Sequence, residues 1–326
     1  MAKRSLFALV FTLAATCGLS LTTVAGAPPV DDSLLRSSFN LADGRTPETQ
    51  YFILESKFVH YTPDGKRNQY EVYRLYLQCV PGKSAGKGRD EYTCVRFAVQ
   101  TSGTGELTIP ALAGWTYVFA MGETGLDEKG QVFGIPHAKF ENLRDGNGQA
   151  IDSEKAYMIY NSFIDFHSFC DALAGRTSSG KGIQDLSQIG QKIVHASAFT
   201  QPPVNLGSNT APGSYFKNGE VTLVFKGLGL AQGAGCAIVG FDSGDSSFKI
   251  IMKPVPEMEI RTTGASHYQG DLYIDLKTKW VRKVDMHEVV VSETTMPVPP
   301  NKVDAVTERV MTIQNVSAAE VEKRKK

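Results

Sequence analysis

The sequence lacks the features that identify many enzymes and membrane proteins at sight. It has no Cys-x-x-Cys pair and no His-Glu-x-x-His, so the common patterns of structural zinc sites and zinc proteases are missing. It also has no charge excess, with 34 basic against 34 acidic residues. A balanced chain offers no basic footprint for nucleic acid and no broad attraction to anionic membranes. We therefore expect neither a metal site nor a nucleic-acid partner.

Long apolar runs are also absent, except at the N-terminus. Lys3 and Arg4 precede an apolar run from Leu6 to Leu21, and small residues follow, including Ala25 and Ala27. This order is typical of a secretory signal peptide, with a retained membrane anchor as the alternative. We predict a signal peptide over residues 1–27 with cleavage near Ala25 or Ala27. The mature chain is then periplasmic or extracellular and has no transmembrane span.

Cysteine is rare, and its count matters because of the predicted export. Loss of residues 1–27 leaves Cys79, Cys94, Cys170 and Cys236, an even number in an oxidising compartment. Cys79 and Cys94 flank a turn-rich segment between two apolar runs, which predicts a disulfide across a hairpin. Cys170 and Cys236 remain as the second pair.

Most of the chain reads as short strands separated by turns. Tyr70–Val80 alternates between two faces, and the apolar runs are rich in aromatic and β-branched residues, as pleated sheets favour. The sequence predicts a mainly β fold, an antiparallel sheet arranged as a half-barrel or a sandwich. The predicted strands are 51–61, 70–80, 92–99, 107–109, 115–121, 220–226, 237–242, 247–252 and 311–316. Residues 258–291 read as a meander of three short strands, with turns at Gly264–Gly270 and Asp275–Lys279.

The middle of the chain has a different periodicity. Phe163, Phe166, Cys170 and Leu173 recur at three- and four-residue spacing, which favours a helix in the second half of 156–174 that ends at Gly175. The aromatic and β-favouring residues over 158–166 favour a strand there instead. A second apolar stripe over 183–193 predicts another, giving one or two helices around 160–196. The chain then divides into an N-terminal β-rich region (28–175) and a C-terminal β-meander region (183–326), or forms one continuous domain.

Three histidines near carboxylates are the candidate site. His137 lies at a loop or strand start, His167 follows Asp165 in the predicted helix, and His195 ends the second stripe. Imidazole and carboxylate together suit ligand binding, acid–base chemistry or metal ligation. No two of the histidines have the short spacing that would bring them together locally, so only the tertiary structure can assemble them.

The C-terminal part has a proline-valine-glycine connector followed by a glycine-rich meander, at Pro203, Val204, Gly207, Gly264, Gly270 and Asp275. On these residues the segment 201–326 resembles the closing portion of uncharacterised exported bacterial β-rich proteins, and the general layout is similar to periplasmic lipid-carrier half-barrels. The resemblance implies a fold, with no catalytic residue to transfer.

These observations lead to three functional hypotheses. The first is an exported, non-enzymatic binding or envelope-associated protein without a cofactor, whose partner is a small apolar ligand or lipid held in an apolar cavity or groove lined by the aromatic strands. The second is a secreted hydrolase or metal-dependent enzyme that uses His137, His167 and His195. The third is a structural or partner-binding β protein that offers an exposed sheet edge.

Overall fold

The computed structural model describes residues 32–84, 89–120, 133–174, 182–195, 200–201, 211–217, 219–255 and 257–324. The predicted signal peptide, residues 1–27, lies outside the described residues. So does the predicted connector with Pro203, Val204 and Gly207.

The described residues form one 14-stranded sheet in which every strand pairing is antiparallel. The prediction of a mainly β, antiparallel fold is therefore confirmed. The strands are β1 Gln50–Tyr61, β2 Arg67–Ser84, β3 Arg89–Thr101, β4 Leu107–Thr108, β5 Trp115–Val118, β6 Lys192–His195, β7 Thr200–Gln201, β8 Tyr215–Lys217, β9 Val221–Ala231, β10 Ala234–Asp242, β11 Ser246–Val255, β12 Met258–Asp275, β13 Val281–Thr295 and β14 Lys302–Val316.

The order of the strands joins the two ends of the chain. The main path runs β4-β3-β2-β1-β14-β13-β12-β10-β9-β6, while β5 pairs with β3 and β11 pairs with β12 and β8. Tyr51 of β1 lies opposite Val316 of β14, and this register continues to Tyr61 and Val306. Strands from the N-terminal and C-terminal regions thus belong to one sheet.

The first predicted helix is present and longer than expected. Helix α1, Ser153–His167, begins at Asp152, whose side chain accepts a hydrogen bond from the backbone N–H of Lys155. Such a cap satisfies one of the free donors at a helix start. A π-helical turn, Ser168–Leu173, continues α1. No described helix is both long enough and apolar enough to cross a membrane.

The second predicted helix is wrong. Residues 183–193 form a single 3-10 turn at Ile183–Asp185 and the start of β6. Gly190 lies between them with a φ of +87°, which a helix does not permit, and Lys192–His195 pair with β9. The other described helix of more than one turn is α2, Ala318–Arg324, at the C-terminal end.

The predicted turn at Gly264–Gly270 is also wrong, because β12 continues through it. A Cβ at Gly264 would lie 2.4 Å from Cζ of Phe248, and one at Gly270 would lie 1.9 Å from the carbonyl oxygen of Asp285. The glycines allow close approach within the sheet rather than a change of direction. The predicted turn at Asp275–Lys279 is present, since it joins β12 to β13.

The two faces of the sheet have different environments. On the inner face, α1 packs through Phe163, which stacks on Phe97 at 5.9 Å, and through Phe166, which meets Phe52 edge-on at 5.1 Å. On the opposite, outer face, Val321 of α2 packs in a small separate cluster of buried apolar residues. Side chains alternate between these faces along each strand.

The predicted disulfides are wrong: Cys79, Cys94, Cys170 and Cys236 are all buried free thiols. The sheet register gives the reason for the first pair. Cys79 lies opposite Tyr92, and Cys94 lies opposite Leu77, so the two cysteines are diagonal rather than facing neighbours across β2 and β3. Burial raises the pKa of both thiols, which keeps them protonated and unreactive.

Candidate functional site

The most organised group of titratable side chains surrounds His167, one of the predicted site residues. Its Nδ1 lies 2.8 Å from Oδ2 of Asp171, one helical turn further on, and its Nε2 lies 2.7 Å from the hydroxyl of Tyr117. Tyr92 donates its hydroxyl to the same Oδ2 at 3.0 Å, and Arg45 donates Nη1 to Oδ1 at 3.0 Å. These five side chains are called the His167 network below.

The protonation pattern of the His167 network follows from its charges. Burial alone would raise the pKa of Asp171, but the hydrogen bond from His167 and the charge of Arg45 outweigh burial and hold that pKa below its ordinary value. Asp171 is therefore an ionised acceptor. His167 then donates from Nδ1 to Asp171, and its Nε2 shares a hydrogen bond with the Tyr117 hydroxyl.

The centre of the His167 network is closed to solvent, and only Arg45 is partly exposed, at 18%. His167 is 0% exposed and Asp171 is 3% exposed. Aromatic rings contact the imidazole on several sides, including Phe119, stacked at 4.9 Å, and Tyr92, edge-on at 4.6 Å. The network connects Arg45, β3, β5 and α1, so it links parts of the fold that are distant in sequence. Buried polar groups are tolerated when they are hydrogen-bonded, as His167, Asp171 and the two tyrosine hydroxyls are here. Nε of Arg45 is the exception in the network, since it is buried and has no hydrogen-bond partner among the described residues.

The other predicted site residues lie apart from this network. His137, in the 3-10 turn His137–Phe140, approaches the Tyr160 hydroxyl at 3.1 Å through Nε2. His195 lies on β6, the last strand of the main path, where its backbone pairs with Val221. Each histidine thus has its own neighbours. Among the residues that the structure describes, no three His, Cys, Asp or Glu side chains are grouped to hold a metal ion.

Asp165 belongs to a second group of buried charges. It forms an ion pair with Nη2 of Arg309 on β14, and Nη1 of Arg309 lies 3.3 Å from Oε2 of Glu288 on β13. The Nε of Arg309 donates to Ser56 at 2.8 Å, and its guanidinium lies over the ring of Phe58 at 5.0 Å. These contacts attach the end of α1 to the centre of the sheet.

The sequence alone indicates only some of the contacts within these two groups. His167 and Asp171 have the i, i+4 spacing that brings side chains together on a helix, and this spacing could have indicated their contact. Arg45, Tyr117 and Arg309 carry no comparable local pattern. A Gly-x-Ser-x-Gly match at 82–86 also exists, but Ser84 ends β2 in a strand-to-strand connection. A hydrolase nucleophile with this motif lies instead in a turn between a strand and a helix.

The space between α1 and the sheet is filled by packed rings. Phe163 lies within 6.0 Å of Trp115, Tyr117 and Phe140, measured between ring centroids. Phe97, Phe140 and Phe163 are all fully buried. In this described part of the core, the aromatic residues form a packed interior rather than the lining of a cavity.

A groove lies on the outer face of the sheet. It has a volume of about 620 Å³ and crosses five neighbouring strands, β9, β10, β12, β13 and β14. With strands about 4.8 Å apart, it is about 19 Å long across the strands. We call it the outer groove, and its outward-facing lining consists of Thr222, Val224, Lys226, Asp242, Gln269, Asp271, Asp285, His287, Val310 and Thr312.

Lys226 forms part of the surface of the outer groove because Gly240 has no side chain. A Cβ at Gly240 would lie 2.2 Å from Cε of Lys226. The lysine chain therefore crosses β10 above the glycine, and its Nζ reaches Oδ1 of Asp271 on β12 at 2.5 Å. The absence of a side chain at Gly240 thus deepens the outer groove and leaves room for the ion pair between Lys226 and Asp271.

A second cleft of about 560 Å³ lies beside the β12–β13 turn and the start of α2. Its lining is mostly polar, and the charged groups in its floor bind one another. Arg282 pairs with Asp275 at 2.8 Å and donates to Asn315 at 2.9 Å, and Asn315 donates to Gln50 at 3.1 Å. This connected network stabilises the turn.

Comparison with known proteins gives little further information. No protein-family model and no curated protein matches the sequence. A DUF1329 family protein from Desulfovibrio piger is 9% identical over 84% of this chain and 90% of its own, with a TM-score of 0.15. The outer membrane protein OmpT of Vibrio cholerae is 11% identical over 82% and 99%, with a TM-score of 0.17.

A DUF3598 family protein from Nostoc punctiforme is 13% identical over 81% of this chain and 95% of its own, with a TM-score of 0.12. These scores are too low to carry an inference about fold or function. The structure itself shows a large antiparallel sheet with two helices and a groove on the outer face of the sheet.

Proposed function

We propose that this chain is an exported, non-enzymatic binding protein that holds an elongated, partly apolar ligand in the outer groove. The observation that carries the proposal is the groove itself. Its volume lies in the range typical of ligand sites, and two apolar side chains lie among eight polar or charged ones on its outward-facing surface. Val224 contributes an apolar surface near one end and Val310 near the other.

The position of the candidate histidine supports binding rather than catalysis. A general base must come within hydrogen-bond reach of the proton that it removes. His167 is fully buried, and both of its ring nitrogens are engaged by Asp171 and Tyr117. We therefore assign the His167 network to stability of the fold.

The ligand is proposed to lie on the outer groove rather than between α1 and the sheet. The aromatic residues expected to line a cavity pack against one another. A groove that is open to solvent accepts a ligand without opening the core. The similarity to periplasmic lipid-carrier half-barrels supports a lipid-like ligand through sequence resemblance alone.

Export is part of the proposal and has its own test. The basic, apolar and small-residue order of residues 1–27 supports it. Expression of the full chain in a bacterial host, followed by intact mass measurement, should yield a chain cleaved near Ala25 or Ala27. A full-length product in the cytoplasmic fraction would contradict export without bearing on the groove.

Binding is tested with three amphiphiles that share a dodecyl chain: dodecyltrimethylammonium, dodecyl maltoside and dodecanoate. Isothermal titration of the mature chain, below the micelle concentration of each probe, should detect binding of at least one. Thr312→Trp should fill the outer groove and weaken that binding by about tenfold or more, which is a loss of about 1.4 kcal/mol.

Thr263→Trp is the matched control, since Thr263 is exposed on β12 and does not line the outer groove. It should leave binding unchanged. The proposal fails if none of the three probes binds, or if both tryptophan variants weaken binding equally.

A second candidate function, binding of a protein partner, is favoured by exposed valines on β13 and β14. Val289, Val291 and Val306 are 39%, 48% and 37% exposed, and Val291 lies opposite Val306. We take a second copy of this chain as the partner. Sedimentation of the wild type and of a Val289→Thr, Val291→Thr variant tests it: a dimer that dissociates in the variant supports this function, and a monomeric wild type excludes it.

A further inference from the structure

The centre of the outer groove contains two carboxylates that face each other. Asp271 on β12 and Asp285 on β13 are directly opposite in the strand register, and both line the groove. Like charges at directly opposed positions of a sheet repel each other. A pair of this kind is stable only where cations lie close to it.

The protein supplies one cation to each carboxylate. Nζ of Lys226 lies 2.5 Å from Asp271, and Nζ of Lys283 lies 2.7 Å from Asp285. All four side chains are partly exposed, with Lys226 at 51% and Asp285 at 40%. Exposed ion pairs are weak and exchange readily with other ions, so a bound cation can take the place of a lysine.

The lining of the outer groove is acidic overall. Asp242, Asp271 and Asp285 line it, and among the described residues of the lining Lys226 alone is a lysine or an arginine. Beside the lining, Lys57 lies opposite Val310 and Glu55 lies opposite Thr312, so these two charges cancel. The charge of Lys283 is likewise cancelled by that of Glu308, which binds His287 at the rim at 2.7 Å. The His267 ring lies 3.3 Å from Asp242. The field in the groove therefore favours a positive ligand.

We propose that the outer groove selects amphiphiles with a cationic head group, an amine or a quaternary ammonium, which binds between Asp271 and Asp285. The apolar chain of the ligand then extends over Val310 or towards Val224. This inference deepens the proposed binding function and rests on it, since it assigns a charge to the ligand of the same groove.

The experiment compares the three dodecyl probes by isothermal titration at low salt. Dodecyltrimethylammonium should bind at least about tenfold more tightly than dodecanoate, with dodecyl maltoside between them. Added sodium chloride should weaken binding of the cation and strengthen that of the anion, because salt screens both interactions.

Two variants should act in opposite directions. Asp285→Asn removes a carboxylate and should weaken binding of the cation by about threefold or more, whereas Lys226→Met removes the competing ammonium and should strengthen it by a similar factor. Glu141→Gln, at an exposed position outside the groove, makes the same charge change as Asp285→Asn and should have no effect. Thermal unfolding of each variant checks that it is folded.

The outcomes separate this inference from the binding function. If the probes bind with equal affinity, or dodecanoate binds most tightly, and Thr312→Trp abolishes that binding, the groove function stands and the cation preference is refuted. The preference is also refuted if Asp285→Asn and Glu141→Gln behave alike. If no probe binds, both proposals fail.

Discussion

The hydroxyl of Tyr117 lies 2.7 Å from Nε2 of His167, inside a core where the histidine is 0% exposed. The contact joins β5 to the end of α1. The sequence predicts His167 at a ligand site, but both of its ring nitrogens are engaged, since Asp171 binds Nδ1. His167 is therefore a structural residue. The predictions below begin with this contact.

Tyr117→Phe should destabilise the protein by about 1–3 kcal/mol, since it leaves Nε2 of His167 buried without a hydrogen-bond partner. Urea unfolding followed by circular dichroism measures the change. Tyr273→Phe is the control, because Tyr273 is half-buried on the outer face beside Lys283 and should change stability by less than about 0.5 kcal/mol. Equal effects of the two substitutions would refute the role of the hydroxyl.

Asp171→Asn should lower the free energy of unfolding by about 3–5 kcal/mol at pH 7, because the Arg45 charge then lies largely buried without its partner. The pKa of Asp171 is lower in the folded than in the unfolded chain. Its ionised form therefore contributes stability above the unfolded value of about 3.9, and this contribution is lost as the pH falls through the folded value.

The difference in unfolding free energy between wild type and Asp171→Asn should accordingly shrink as the pH falls below about 4. Urea unfolding between pH 7 and the acid limit of the native state measures it. A difference that stays constant over this range would show that folding does not lower the pKa of Asp171.

Arg309→Met should destabilise the protein by about 3–5 kcal/mol at neutral pH, since Asp165 and Glu288 are left without their shared partner. Burial raises the pKa of Glu288 even though Arg309 opposes that change. Without Arg309 the pKa should rise further, so mild acid should restore part of the loss. Arg74→Met is the control: Arg74 pairs with Glu55 and Glu106 on the outer face, where an ion pair contributes at most about 1 kcal/mol.

Gly270→Ala should cost about 1–3 kcal/mol, because the added Cβ would lie 1.9 Å from the carbonyl oxygen of Asp285 and the strands must shift. Gly235→Ala is the matched control within the sheet, since a Cβ at Gly235 has no atom within 4 Å. Thermal unfolding compares the two. If both are tolerated, residues 264–270 form a turn as the sequence first indicated, rather than part of β12.

The cysteines should react with a thiol reagent only after unfolding. In the mature chain without reductant, Ellman's reagent should label no thiol in the native state and all four of Cys79, Cys94, Cys170 and Cys236 in guanidinium chloride. Burial raises the pKa of the thiols and blocks access to them. Labelling of only two thiols, rising to four after reduction, would mean that a disulfide is present.

Local pattern was sufficient for much of the fold. The alternation in Tyr51–Tyr61 and Tyr70–Val80 predicts β1 and β2, because a strand with one buried face must alternate. The spacing of Phe163, Phe166 and Cys170 indicates a helix, but the aromatic residues over 158–166 equally allowed a strand, and the structure places α1 there. The prediction from glycine was wrong, because a glycine occurs both in turns and in strand interiors. For Gly264 and Gly270, only their neighbours across the sheet distinguish the two.

The sequence by itself determined that this protein is mainly β and where most strands run, since these depend on periodicities within a few residues. The choice between helix and strand over 158–166 was decided by the structure. The tertiary structure decided which strands are neighbours and which side chains meet. Arg45 reaches Asp171 across 126 positions, Arg309 reaches Asp165 across 144, and Lys226 reaches Asp271 across 45. Such contacts have no local pattern, because chain folding rather than sequence spacing brings the groups together. For the same reason the outer groove, which draws on five strands, was visible only in the folded molecule.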